Sequence, residues 1–311
     1  MLLLEKKAEM EIYAGIDMGG TNLKFGLVTD EGDVLFSGAS PTPPNLKLLL
    51  ETIKQIWKIL KEEATSRIIC LGFGLPGIFN RRAKMIHRSP NYPGLNGVPL
   101  EPLFAQLVEV PFTIHNDANM AAYGEFLAGA GKGLKSMILL TIGTGVGSGI
   151  ILGGQLWEGT NGFAGELGHI TVNPEGDSCK CGSQGCLETE VSSEKIVKNY
   201  QQLTGQQEPL TSEEVYHRAR QGDKAAQTAF TRAGYYLGLG LASAINLLDP
   251  EKIILGGGVM KAGDLLLQPA LREIKKRSYL FHYSQCRIEP ALLGNQAGFI
   301  GAALWAGSKF S

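Results

Sequence analysis

Apolar and polar positions along the chain alternate between two periods. Residues 12–18 (IYAGIDM) are almost wholly apolar and run into Asp-x-Gly-Gly. "NLKFGLVTD" and "DVLFSGAS" follow, separated by Asp/Gly-rich turns, which predicts a β-meander over the first forty residues. "PTPPN" breaks it. Over 46–63, Leu46, Leu49, Leu50, Ile53, Ile56, Trp57 and Leu60 fall at helical spacing. "RIICLGFGLPG" reads as a buried strand entering a turn, and "SPNYPGLNGVPL" as a loop. "VPFTIHND" reads as a short strand, and "ANMAAYGEFLAGAGKG" as a helix closed by glycines.

The pattern then restarts. "KSMILLTIGTGVGSGIILGGQLW" is again strand, glycine turn, strand, as at 12–29, so two similar α/β halves are predicted. Helices follow at 192–204, at 211–221 behind a Thr211–Glu214 capping box, and at 223–247. "KIILGGGV" is a strand entering a glycine turn. A helix over about 261–277 and a small-residue helix in "QAGFIGAALWAG" complete the chain.

Composition narrows the function. A length of 311 residues suits one large domain or two ordinary ones. A net charge of −1 gives no basic surface for nucleic acid. No apolar run reaches membrane-spanning length, and the leading MLLLEKKAEM lacks a signal-peptide core. A cytoplasmic protein with reduced thiols is expected. Glycine is abundant, at 41 residues, and it clusters at a few turns rather than repeating with a period.

Those turns are the first candidates for chemistry. In "GIDMGGTNLK", Asp17 ends a strand, Gly19, Gly20 and Thr21 offer N–H groups and a hydroxyl, and Lys24 stands one turn on. "TIGTGVG" repeats the arrangement at 141–147 around Thr144 and Gly145, without acid or lysine, and Gly256, Gly257 and Gly258 form a third. Each alone reads equally as a hairpin turn. Together they suggest backbone cradles for phosphate, hence a nucleotide, although no P-loop motif is present.

Two acidic positions come next. Asp117, in "HND", reads either as a helix N-cap or as an aspartate at a strand's C-terminal end, placed to take a proton from a substrate hydroxyl. Glu166 and His169, in "GELGH", share a face if that segment is helical. His169 also opens a stretch holding Cys179, Cys181 and Cys186. One imidazole and three thiolates form the donor set of a closed structural zinc site. The spacing is not that of a zinc finger, and a redox C-x-x-C is absent. Cys70 and Cys286 read as ordinary residues.

Taken together, "DMGGTNLK", "GLPG", "SPN", "HNDAN", "TIGTGVG", "GELGH", "CKCGSQGCLE", "LGGGV" and "GNQAGFIGAA" resemble the ROK family of bacterial sugar kinases, most of all its glucokinases. The resemblance covers nearly the whole chain. It implies a two-domain α/β fold of the actin-like ATPase (ribonuclease H-like) type with a cleft between the domains. One domain would be 1–117 with about 296–311, and the other 118–295 with the zinc loop. It implies ATP and Mg²⁺ as well as structural Zn²⁺. Asp17 would lie near the Mg²⁺-nucleotide phosphates, with Gly19, Gly20, Thr21, Lys24, Thr144 and Gly145 around them and Gly256–Gly258 along the adenosine. Asn116 and Asp117 would bind the sugar, with Asp117 as base. Glu166, His169 and Glu188 would hold hydroxyls, joined by Gly77 and by Asn91 or Asn96.

Glucose phosphorylated at the 6-hydroxyl is the expected reaction. Kinases for other hexoses or N-acetylhexosamines share these motifs, and the family's repressors are not enzymes. Repressors carry a DNA-binding segment before the first glycine turn, and here that turn begins at residue 17, so an enzyme is expected. A homodimer or tetramer is implied. Two positions depart from the family's common wording: Ser148 stands where glycine is frequent, and Gln296 where aspartate is. Neither is expected to touch a residue assigned to sugar or metal.

Overall fold

The computed structural model describes residues 11–80, 85–89 and 92–311. The leading leucines and Asn91 lie outside the described residues. The chain divides into two compact units.

The first unit comprises residues up to 132 together with 161–163 and 295–311. Its strands β1 (Ile12–Met18), β2 (Asn22–Thr29) and β3 (Val34–Pro41) form the expected antiparallel meander. Helix α1 (Leu46–Glu63) follows, capped by the Asn45 side chain on the Leu48 N–H. It buries Leu49, Ile53, Ile56, Trp57 and Leu60, five of the seven apolar positions that predicted it. Strand β4 (Ile68–Leu75) pairs parallel with β1. A small hairpin, β5 (Ile78–Asn80) and β6 (Met85–Arg88), and a short helix α2 (Leu100–Phe104) precede β7 (Phe112–Asn116), which pairs parallel with β4. Helix α3 (Asp117–Ala128) also belongs to this unit. A boundary at 117 would place it in the other.

The second unit, 133–160 and 164–294, repeats the plan. Strands β8 (Met137–Ile142), β9 (Val146–Leu152) and β10 (Gln155–Leu156) form a second meander. Helices α4 (Leu187–Val191), α5 (Ser193–Thr204), α6 (Ser212–Arg220) and α7 (Lys224–Leu248) lead to β11 (Lys252–Gly256), which pairs parallel with β8. Helix α8 (Asp264–Arg277) leads to β12 (Arg287–Pro290), parallel to β11. The two sheets have the orders β3-β2-β1-β4-β7 and β10-β9-β8-β11-β12, so strand for strand they share one topology. This is the duplication that the repeated strand–turn–strand pattern announced, and the fold is that of two-domain actin-like ATPases.

The last helix, α9 (Ala297–Phe310), packs on β1 and β4 of the first unit. Its main chain reaches the sheet because Gly15 and Gly72 carry no side chain. A Cβ on either would run into the carbonyl of Phe299 or Ala302. Each unit has its own core, around Ile16, Phe73 and Phe104 in the first and Leu140, Leu237 and Ile253 in the second.

Candidate active site and metal centre

In the first unit, the C-terminal ends of β1 and β7 carry the two aspartates. Asp17 pairs across the β1–β2 hairpin with Lys24, so the lysine faces it from the next strand, past the glycine turn. Lys24 Nζ also reaches Asn295 Oδ1 at 3.4 Å. A Cβ on Gly74 would lie 3.2 Å from Asp17 Oδ1 and 3.4 Å from the Asp117 Cα, so this glycine leaves the space where the two acids approach. Gly298, in the first turn of α9, has Asp17's carboxylate directly against it. Burial and the charge of Asp117 push the Asp17 carboxyl from 3.8 up to about 7, with Lys24 opposing. The turn over Gly19, Gly20 and Thr21 is partly or fully exposed. It is closed by Gly19 N–H donating to the Asn22 carbonyl at 3.0 Å and tied to the meander by Thr42 Oγ1 donating to the Gly19 carbonyl at 2.7 Å.

Asp117 is not the N-cap of α3. Asn116 is: its Oδ1 accepts from the Asn119 N–H at 2.9 Å. The Asn116 amide nitrogen donates to the Gly77 carbonyl and to Asp117 Oδ1, both at 3.1 Å. Asp117 Oδ1 also accepts from the Ala118 N–H at 2.9 Å. Asn116 thus divides its amide hydrogens between the Gly77 loop and its neighbour Asp117. Gly77 has φ +119°, and a Cβ there would meet the Arg88 carbonyl at 2.6 Å, so only glycine fits the turn that supplies that carbonyl. Asn96 is exposed and holds the same loop, its Oδ1 accepting from the Ser89 N–H at 2.6 Å.

In the second unit, the turn between β8 and β9 is held from three sides. Gly143 N–H donates to the Gly145 carbonyl, Ser193 N–H to the Gly143 carbonyl, and Val146 N–H to Glu188 Oε2 at 2.9 Å. Thr144 at its tip is exposed. Gly257, with φ +89°, lies against the main chain of Ile142, so the 256–258 turn sits beside the end of β8. Glu166 and His169 span a single 3-10 turn, and His169 Nε2 lies 3.9 Å from Glu166 Oε2. The Glu166 carboxyl is held above its usual range by desolvation, with His169 opposing and Glu188 adding to it.

The other ring nitrogen of His169 faces the cysteines. Nδ1 lies 3.6 Å from Cys179 Sγ, Cys181 Sγ lies 3.7 Å from Cys186 Sγ, and all four donor atoms fall within 4.8 Å of one another. None of the cysteines is in a disulfide. A tetrahedron with zinc–sulfur arms of about 2.3 Å has sulfur–sulfur edges of about 3.8 Å, and nitrogen–sulfur edges of about 3.6 Å. The quartet fits that geometry. Burial and the neighbouring thiols push Cys186 up to about 12, a cost that a divalent cation offsets. Two glycines shape the loop: Gly182 N–H closes a turn onto the Cys179 carbonyl with φ +100°, and Gly185, φ +64°, has the Asn173 carbonyl where a Cβ would stand.

The profile of the ROK family matches residues 13–309. The chain belongs to the ROK family. It is 36% identical to a glucokinase of Halalkalibacterium halodurans over 93% of both chains. The solved ROK family glucokinase of Streptomyces griseus, in complex with glucose and AMPPNP, superposes with a TM-score of 0.84 at 33% identity, over 96% of this chain and 99% of that one. A xylose repressor of Caldicellulosiruptor bescii is 29% identical over 96% of this chain and 79% of its own length.

Within this ROK protein, the structure joins Asp17, Lys24 and Asp117 in one cluster, and Glu166, His169, Glu188 and the cysteines in another. Two features went unread in the sequence. One is a polar network behind the cysteine loop: Lys195 bridges Asp177 at 2.8 Å and the fully buried Glu190 at 3.7 Å, while Asn173 donates to Glu190 at 2.8 Å. Its members are scattered over 23 residues with no motif to mark them. The other is Ser148. As expected, it touches none of the assigned residues, but it bonds the main chain on both sides of Glu166, to the Gly165 carbonyl and the Leu167 N–H. Gln296 stands at the N-cap of α9 and makes no side-chain capping bond there.

Proposed function

We propose that this chain is an ATP-dependent sugar kinase that phosphorylates glucose at the 6-hydroxyl. The observation that carries the reading is Asp117: a carboxylate at a strand end, relieved of capping by Asn116 and aimed by it. Likeness to glucokinases, and to a structure holding glucose and an ATP analogue, supports the choice of sugar and donor.

In the first unit, Asp117 accepts the 6-hydroxyl proton as that oxygen attacks the γ-phosphorus in line and the bond to the β,γ-bridging oxygen breaks, releasing ADP. Asn116 fixes the carboxylate, and the Gly77 loop, held by Asn96, braces Asn116. Asp17 and Lys24 stand at the phosphate side with the Gly19–Thr21 turn. Two mutually repelling acids suit a hard divalent cation, and Mg²⁺ would supply charge neutralisation at the phosphates. In the second unit, Thr144 and Gly145 offer a second phosphate turn, and Gly256–Gly258 a surface for the nucleoside. Glu166, His169 and Glu188 take sugar hydroxyls. His169, Cys179, Cys181 and Cys186 would hold Zn²⁺, with His169 Nδ1, which faces the cysteines, as the nitrogen donor and the ring's aim fixed by that bond.

A coupled assay over a panel of hexoses and N-acetylhexosamines at fixed ATP tests the reading, with glucose expected to give the highest kcat/KM. Asp117→Asn should bind glucose within a few-fold of wild type and lose about 10²–10⁴-fold in kcat. Near-normal turnover would remove Asp117 from the role of base. Wild-type binding of sugar without turnover would favour the sensor reading that the repressor relative invites.

A further inference from the structure

We infer that Ser148 is a positioning residue for Glu166, and so sets how tightly the sugar is held; this rests on the reading that Glu166 takes a sugar hydroxyl. Ser148 lies on β9, just beyond the 143–146 turn, and is 6% exposed. Its hydroxyl donates to the Gly165 carbonyl and accepts from the Leu167 N–H at 3.0 Å. These are the main-chain groups immediately before and after Glu166.

Glu166 has φ −88° and ψ 50°, close to an inverse γ-turn. In such a turn the flanking carbonyl and N–H bond each other directly. Here one buried hydroxyl is inserted between them, using its single hydrogen on one and a lone pair on the other. The peptide planes on both sides of Glu166 are therefore referred to β9, a strand paired with the sheet along its length. Gly165, at φ +90°, gives the entry that lets the segment reach the hydroxyl. The exit is fixed as well, because the Leu167 N–H that Ser148 holds begins the 3-10 turn carrying His169. Ala or Gly at 148 leaves two main-chain groups unpaired beside β9, and the γ-turn is free to close on itself and swing the carboxylate.

A double-mutant cycle on the full chain, with metal content verified, tests this. Ser148→Ala should raise the glucose KM about tenfold, the scale of a lost pair of buried hydrogen bonds, with kcat and the ATP KM within about twofold of wild type. Glu166→Gln should raise the glucose KM further. The double variant should be no worse than Glu166→Gln alone, because Ser148 acts through Glu166. A glucose KM within twofold of wild type in Ser148→Ala, or penalties that multiply in the double variant, overturns the inference. The wild-type control separates this from the functional reading. If wild type binds glucose without turnover, the kinase reading fails, and the same cycle decides the inference from glucose Kd by calorimetry. If wild type neither binds nor phosphorylates any sugar of the panel, both fall.

Discussion

At Asp17 the fold holds a carboxylate against two opponents of its charge, burial and Asp117. The folded chain therefore binds this proton more tightly than the unfolded chain, whose carboxyl titrates near 3.8. Stability from this group falls as pH rises from about 4 to about 7, and the full cost of the charge persists above that. Asp17→Asn removes the cost. Its melting temperature should exceed wild type at pH 8 and match it at pH 4, while turnover falls by about 10²-fold or more. A variant no more stable at pH 8 than wild type would mean that Asp17 is not strained. Residue types here were legible in the sequence, but partnerships were not. Asn116 and Asp117 are adjacent and either can cap a helix, so only the fold decides which does. Lys24 falls in a predicted strand, but the hairpin register that sets it opposite Asp17 is a pairing between strands and has no local signal. Ser148 lies 18 residues before Glu166, and nothing local links them.

Among the elements, the loop of the cysteine quartet is held at two places. One is the quartet; the other is Lys195 on α5, nine-tenths buried between Asp177 and Glu190. Lys195 and then Lys198 hold the Asp177 carboxyl down at about 2, so these pairs persist until strongly acid pH. Lys195→Met leaves Glu190 buried without its cation and should cost about 3–5 kcal/mol. Lys198→Met, at an exposed pair on the same aspartate, should cost less than about 1 kcal/mol. Denaturant midpoints compare the two, and equal losses would contradict the burial argument. Elements with strong local signals were read well: α1 at 46–63, and α6 behind its capping box, present as Thr211 and Glu214. The short α2, α4 and β12 were not, because elements of four or five residues have no periodicity to show and depend on what they pack against. Glu166 and His169 lie on one 3-10 turn because Gly165 just before it and Gly168 within it disfavour a longer helix.

Across the whole molecule, two similar sheets carry two separate cores, so unfolding need not be a single transition. All four residues of the quartet lie in the second unit. Chelation under reducing conditions should therefore lower the calorimetric transition of that unit, leave the other in place, and raise the glucose KM through His169 and Glu188. Metal-free protein, verified by metal analysis, with unchanged transitions and unchanged KM would dismiss the metal from both roles. The duplication was visible as a repeated strand–turn–strand. That α3 belongs with the first unit was not, since its partner α9 is about 170 residues away along the chain.

That partnership bears on how the protein is made. The helix α9 contributes ten buried residues, and it closes over Gly15, Gly72 and Gly124 with main chain against main chain. On the ribosome, the first sheet emerges early but lacks the helix that covers it, while residues 133–294 are all synthesised before α9 appears. The second unit can therefore reach its native packing first, and the first must wait, its apolar strands β1 and β4 uncovered, until the last helix leaves the exit tunnel. The packing therefore predicts the reverse of the usual N-terminal-before-C-terminal order of folding.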